Sequence, residues 1–121
     1  MKQIKLFDSE LKLMELIWQH GGPITAKQLS QLAAEEIGWN KNTTYTVIKK
    51  LVVKRAIKRV DPHYICQPLI TRADVQQDET RDLIDKLFQG SVKVFFNSFL
   101  KSDNLTEEEI TELKDIINKK L

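Results

Sequence analysis

The stretch of this 121-residue chain that most limits its fold is 40–67, where the side-chain period changes once. Thr44, Val47, Ile48, Leu51 and Val52 keep the rhythm of one helical face, and Asn40 is a good N-cap before them. The opposite face holds Asn42, Thr46, Lys49 and Lys50, with Thr43 and Tyr45 on its flanks. From Ile57 onward the residues become β-formers. Ile57, Val60, Tyr64, Ile65 and Cys66 flank Asp61-Pro62-His63, a turn signal. A two-faced helix feeding directly into a hairpin fits few architectures.

The residues upstream narrow the choice further. Leu11, Met14, Ile17 and Trp18 predict a first helix over Asp8–His20, capped by Asp8 and stopped by Gly21-Gly22-Pro23. His20, in its last turn, suits the helix dipole better than catalysis. Thr25-x-x-Gln28 has the form of a capping box and opens a second helix, with Leu29, Leu32, Ala33 and Ile37 buried and Gly38 at its end. Three helices and a hairpin in that order predict a winged helix-turn-helix over 1–69. The fold class is mainly α with a small β-hairpin.

The tail, 70–121, reads as three more helices: 72–89, 91–100, and one opened by the capping box Thr106-x-x-Glu109. Their apolar positions include Leu83 and Leu87, then Val92, Phe95, Phe96 and Phe99, then Ile110, Leu113 and Ile117. Some fifty residues do not easily bury such a stripe alone. Burial against a second copy makes this a helical dimerisation region and the protein a homodimer. Folding back onto the N-terminal half is the alternative.

Composition excludes several classes. Four glycines and three prolines leave little for the turns of an all-β sandwich. Apolar runs are too short to span a bilayer, and MKQIKLFDSE lacks a secretory apolar core, so no membrane partner is expected. One cysteine, Cys66, forbids an intramolecular disulfide framework and fits a reducing, cytoplasmic setting. Catalysis is poorly supported. His20 and His63 lie in different elements, and no phosphate loop or nucleophile elbow is present. Glu107, Glu108 and Glu109 occupy a first helical turn, where the dipole favours them. His63 and Cys66 are too few for a structural metal site, so neither metal nor cofactor is expected. A reactive Cys66 would need Lys58 or Arg59 to stabilise its thiolate; a half-buried strand cysteine is the default.

Charge points elsewhere. Residues 1–69 carry a balance of +5 and residues 70–121 one of −3. No acid occurs between 37 and 60, while Lys41, Lys49, Lys50, Lys54, Arg55, Lys58 and Arg59 all fall there. A basic segment opposite an acidic half suits a polyanion such as double-stranded DNA. Asn42, Thr43, Tyr45 and Thr46 would read bases at the start of the helix: Asn pairs with adenine, and a Thr methyl packs on thymine. Lys49, Lys50, Lys54 and Arg55 suit phosphates, and Lys58, Arg59 and His63 would bring the wing onto the flanking backbone. A dimer would read half-sites about 34–36 Å apart or multiples of that. A winged-helix adaptor for other proteins is the competing reading, and the acid-free segment counts against it.

The run SELKLMELIW at 9–18, followed by W-N-x-N-T-T-x-T-x-x-x-K-L at 39–51, closely resembles the penicillinase (β-lactamase) repressor family, which also contains copper-responsive repressors. The likeness extends to D-N-L-T-E-E-E-I at 103–110. It implies a bacterial homodimer whose winged helix binds a palindromic operator and blocks transcription until an inducing signal releases it. It also implies that Thr43, Thr46 and Lys50 face DNA. Asn42 stands where the family usually has lysine, Lys50 where it often has arginine, and Arg55 where glycine commonly follows the recognition helix. Lysine lacks the guanidinium fork, and a non-glycine at the last position predicts a different bend into a shorter wing. In the β-lactam branch a sensor-triggered protease cuts an Asn–Phe bond; the matching bond here is Ser98–Phe99, which makes a regulatory protease the corresponding partner. The copper branch binds metal through C-terminal C-x-C pairs, whereas this chain reads INKKL there.

Overall fold

A computed structural model describes residues 4–101 and 105–121. The beginning of the 103–110 motif and the first three residues lie outside that range. Helix α1 spans Asp8–His20. Its N-cap is Phe7, not Asp8, and the Phe7 amide donates to Glu10 Oε1 at 2.7 Å. The buried stripe also differs from the expected one. Glu10, Leu13, Met14, Leu16 and Ile17 face inward, while Leu11 is exposed and Trp18 half-buried. Apolar residues at 11, 13, 14, 16, 17 and 18 fit more than one stripe, and packing chooses among them.

Gly21 ends α1 in the left-handed conformation (φ 97°), its amide bonded back to Ile17 and Trp18. Strand β1, Ile24–Thr25, follows. Thr25 then caps helix α2, Ala26–Glu36, through its side chain, with Gln28 completing the capping box. Asn40 caps helix α3, Lys41–Val53, its Oδ1 accepting from the Thr43 amide at 2.8 Å. Strands β2, Ile57–Val60, and β3, Ile65–Pro68, form the hairpin, with Arg59 opposite Cys66 and Val60 opposite Ile65. The sheet has one strand more than the sequence predicts. β1 pairs with β3, giving the antiparallel order β1-β3-β2 and placing Cys66 on the central strand.

The chain forms two compact units, Met1–Glu79 and Thr80–Leu121. The division falls inside helix α4, Arg72–Phe88, and not at the 69/70 boundary expected from the sequence. The segment entering α4 and the first residue of that helix are fastened to α1. Trp18 Nε1 donates to the Ile70 carbonyl at 3.0 Å, and Arg72 pairs with Glu15 at 2.8 Å. The Glu15 hydrogen bond holds the Arg72 pKa above its ordinary value. The core of the first unit includes Leu13, Met14, Ile17, Ile24, Leu29, Ile48, Leu51, Ile57 and Val75.

The second unit contains the rest of α4, helix α5 (Val92–Lys101) and helix α6 (Glu107–Lys120). Ser91 caps α5, its Oγ accepting from the Val94 amide at 3.1 Å. Thr106 caps α6, with Glu109 closing the capping box. Phe95 is the hub of an aromatic cluster, meeting Phe88 at 5.3 Å, Phe96 at 5.5 Å and Phe99 at 6.1 Å between centroids. No helix among the described residues is long and apolar enough to cross a membrane.

Candidate nucleic-acid interface

Helix α3 divides as its period predicts. Thr44, Val47, Ile48 and Leu51 are buried, and Thr44 spends its hydroxyl on the Asn40 carbonyl. Lys41, Asn42, Thr43, Thr46, Lys49 and Lys50 are exposed together. The Thr46 hydroxyl donates to the Asn42 carbonyl at 2.9 Å, a back-bond that fixes its rotamer. Its proton is thereby occupied, which leaves a methyl group and an acceptor oxygen for an incoming ligand. The side chains of Asn42, Lys49 and Lys50 have no hydrogen-bond partner among the described residues. The face therefore offers one amide, hydroxyl-bearing side chains and ammonium groups, with no carboxylate between 37 and 60.

Tyr45 is only partly available. It is half-buried, and its ring meets Tyr64 edge-on at 5.8 Å, with Lys41 Nζ 5.7 Å from its centroid. Tyr64 itself lies under Arg59, whose guanidinium carbon is 3.7 Å from the ring centroid. Asp61 holds the same guanidinium from the side at 3.0 Å. Arg59, Tyr64 and Tyr45 thus form a continuous chain of ring contacts from wing to helix, an arrangement invisible at sequence separations of 5 to 19. Burial raises the Tyr64 hydroxyl pKa against the opposing charge of Arg59, so the ring stays neutral. Lys58 and His63 are exposed on the hairpin.

Arg55 and Lys54 depart from the sequence expectations in different ways. The bend after α3 is kept, with Arg55 in the left-handed region at φ 62°. The Ala56 amide bonds to the Leu51 carbonyl and the Arg55 amide to the Val52 carbonyl, the pattern of a Schellman cap. The Arg55 side chain is exposed. Lys54, expected to serve a phosphate, is ion-paired with buried Glu10. Charge alone could not separate it from Lys50, because its partner lies 44 residues earlier.

Cys66 is fully buried, and its thiol pKa is pushed up to about 11 by burial, with Arg59 opposing only in part. A thiol kept protonated at neutral pH is a poor nucleophile. Among the described residues no three His, Cys, Asp or Glu side chains gather to hold a metal ion.

The second unit presents a different surface. Leu83, Leu87, Val92, Phe96, Phe99 and Ile117 are exposed, while Phe95, Ile110 and Leu113 are half-buried. Leu100, which continues the stripe of α5, is exposed as well, as are Val94 and Ile116. Ser98 and Phe99 both lie within α5.

A family model described as penicillinase repressor matches residues 6–119. The penicillinase repressor of Bacillus licheniformis is 27% identical over 120 residues, covering 97% of this chain and 93% of that protein. The methicillin resistance regulatory protein MecI of Staphylococcus aureus is 25% identical over 121 residues, covering 98% of each. Among solved structures, the DNA binding domain of the repressor BlaI superposes with a TM-score of 0.54 at 24% identity, over 60% of this chain and 90% of that one. This last likeness concerns the fold alone. With a family match running over nearly its whole length, the chain belongs to the penicillinase repressor family, which is a family of bacterial transcriptional repressors and not of enzymes.

Proposed function

We propose that this repressor works in the cytoplasm as a homodimer on a palindromic operator in double-stranded DNA. Helix α3 enters the major groove. Asn42, Thr43 and Thr46 meet base edges, with Tyr45 at their margin. Lys49, Lys50 and Arg55 meet phosphates, and Lys58, Arg59 and His63 carry the wing onto the adjacent backbone. The observation that carries this reading is the exposed face of α3, where unpartnered polar groups and cations stand together without a carboxylate. The exposed, back-bonded Thr46 supports it too, since its hydroxyl proton is occupied and its methyl and oxygen are left for a base. The exposed apolar residues of the second unit, Leu83, Leu87, Val92, Phe96, Phe99 and Ile117, form the dimer seam, with Phe95, Ile110 and Leu113 beneath them.

Release follows an inducing signal that weakens this seam. Proteolysis by a regulatory protease at Ser98–Phe99 would do so by cutting α5 beside the Phe95–Phe99 stack. The bond is helical, so a protease needs α5 locally unwound before it can cut. An intact chain in induced cells would exclude this route.

The test is a titration of the pure protein against its own upstream intergenic DNA and an unrelated duplex, at two salt concentrations. A steep salt slope and a large preference for the upstream fragment are expected. Thr46→Ala should lower operator affinity by about 1–2 kcal/mol and leave unrelated duplex nearly unchanged. Weak, equal binding to both duplexes at low salt would overturn the reading in favour of a protein adaptor.

A further inference from the structure

Lys54 lies at the C-cap of α3, just before the left-handed turn at Arg55 that starts the wing. Its ammonium donates to the Lys5 carbonyl at 2.8 Å and to Glu10 Oε1 at 2.5 Å, and stands 4.1 Å from the centroid of the Phe7 ring. An ammonium has three N–H donors. The Lys5 carbonyl and the Glu10 carboxylate take two of them, and the Phe7 ring lies against the ammonium. The partner is unusual in its own right. Glu10 is 1% exposed, its Oε1 also accepts from the Phe7 amide, and its Oε2 has no hydrogen-bond partner. A carboxylate this buried is costly unless a cation is beside it, and Lys54 is the cation present.

The latch therefore joins the segment entering α1, Lys5–Glu10, to the end of α3 where the helix hands over to the wing. Lys49 and Lys50, one turn earlier, have no such partners and are fully available. We propose that Lys54 is a positioning residue. It touches no phosphate, and it acts through Glu10 to fix the direction in which α3 presents its base-reading side relative to the wing. This rests on the operator-binding reading, although the latch itself is measurable without DNA.

The experiment compares the full-length wild type with Lys54→Met, Glu10→Gln and the double variant. Met keeps the apolar stem against Phe7, and Gln keeps an acceptor for the Phe7 amide. Lys54→Met strands a buried carboxylate, so its Tm should fall by roughly 10 °C or more. The double variant should recover most of that loss, because no buried charge remains. Additive losses in the double variant would overturn the latch; if Lys54→Met fails to fold, a double variant that also fails to fold while Glu10→Gln folds would overturn it. On DNA, the double variant should keep the wild-type salt slope. If Lys54 instead neutralised a phosphate in each half of a dimer, the slope would drop by about two, and the proposal would be overturned. Lys54 variants that fold should lose several-fold in preference for operator over unrelated duplex. An unchanged preference would reduce Lys54 to a stability element and refute the positioning role. Failure of the wild type itself to prefer any duplex would count against the operator reading alone, while the Tm coupling would still decide the latch.

Discussion

The two units of this chain solve the same problem with opposite results. In the first, α1, α2 and α3 each bury several side chains, and Leu13, Met14, Ile17, Leu29, Ile48 and Leu51 are fully enclosed. In the second, α5 and α6 bury no residue at all, although α5 is one of the most apolar segments of the chain. Ile84 on α4 is nearly alone there in being enclosed. The first unit has three helices and a sheet closing around one core. The second leaves Leu87, Val92, Phe96 and Ile117 exposed to water. Small size explains the contrast, because a unit of some forty residues cannot cover its own apolar surface. One unit is a closed domain, and the other leaves exposed the apolar face assigned above to the proposed dimer seam.

The strongest way to break this contrast is to put a charge on the unfinished face. Phe96 is 39% exposed on α5. In a dimer seam, Phe96→Asp would bury a carboxylate at a cost of several kcal/mol, which the assembly avoids by dissociating. Sedimentation should show a shift from dimer to monomer, and operator affinity should fall by at least about 100-fold. A dimer of unchanged strength would show that the seam lies elsewhere. The first unit should answer differently to its own worst lesion. Leu29→Ala opens a cavity in a closed core, should cost about 2–5 kcal/mol, and should leave the oligomeric state as it was.

Much of this contrast is legible in the sequence, for a physical reason. The two faces of α3, the caps at Thr25, Asn40 and Thr106, and the stop at Gly21 are all local, set by residues within one or two turns. The winged-helix order follows from them. What escapes is set at long range. Strand β1 is two residues, too short to show any period, and exists because β3 pairs with it. Glu10 reads as a surface acid until Lys54 arrives from the end of α3. In the candidate interface, exposure of Asn42, Thr46, Lys49 and Lys50 is readable from the helical wheel. The contact chain of Arg59, Tyr64 and Tyr45 is not, since nothing local ties the hairpin to the helix flank.

A smaller effect sharpens the picture of the first unit as a closed core. The Cys66 thiol has its pKa raised from 9.0 to about 11. The folded state thus keeps a proton that the unfolded chain releases at lower pH. The associated stability is complete below about pH 9 and is lost as pH rises from 9 towards 11, by about 3 kcal/mol at most. Cys66→Ala should remove that slope, so the wild-type and variant stability curves should converge across this window. The native thiol should also resist a disulfide reagent at pH 8 and react once the chain is unfolded. Rapid reaction of the native protein would show a core more open than the structure describes.

The smallest effect separates architecture from contact at one residue. Arg55 occupies a left-handed conformation that costs a non-glycine residue about 1 kcal/mol, and its Schellman hydrogen bonds use only backbone atoms. Arg55→Gly should therefore raise stability by up to about 1 kcal/mol, since the bend no longer opposes a Cβ. If the exposed guanidinium also meets a phosphate, the same change should lower the operator salt slope by about two for a dimer. The two readouts then move in opposite directions, with a firmer wing and a weaker grip. A gain in stability with an unchanged slope would leave Arg55 with no role at the DNA. A loss of stability would mean that its side chain supports the wing in a way the backbone pattern does not account for.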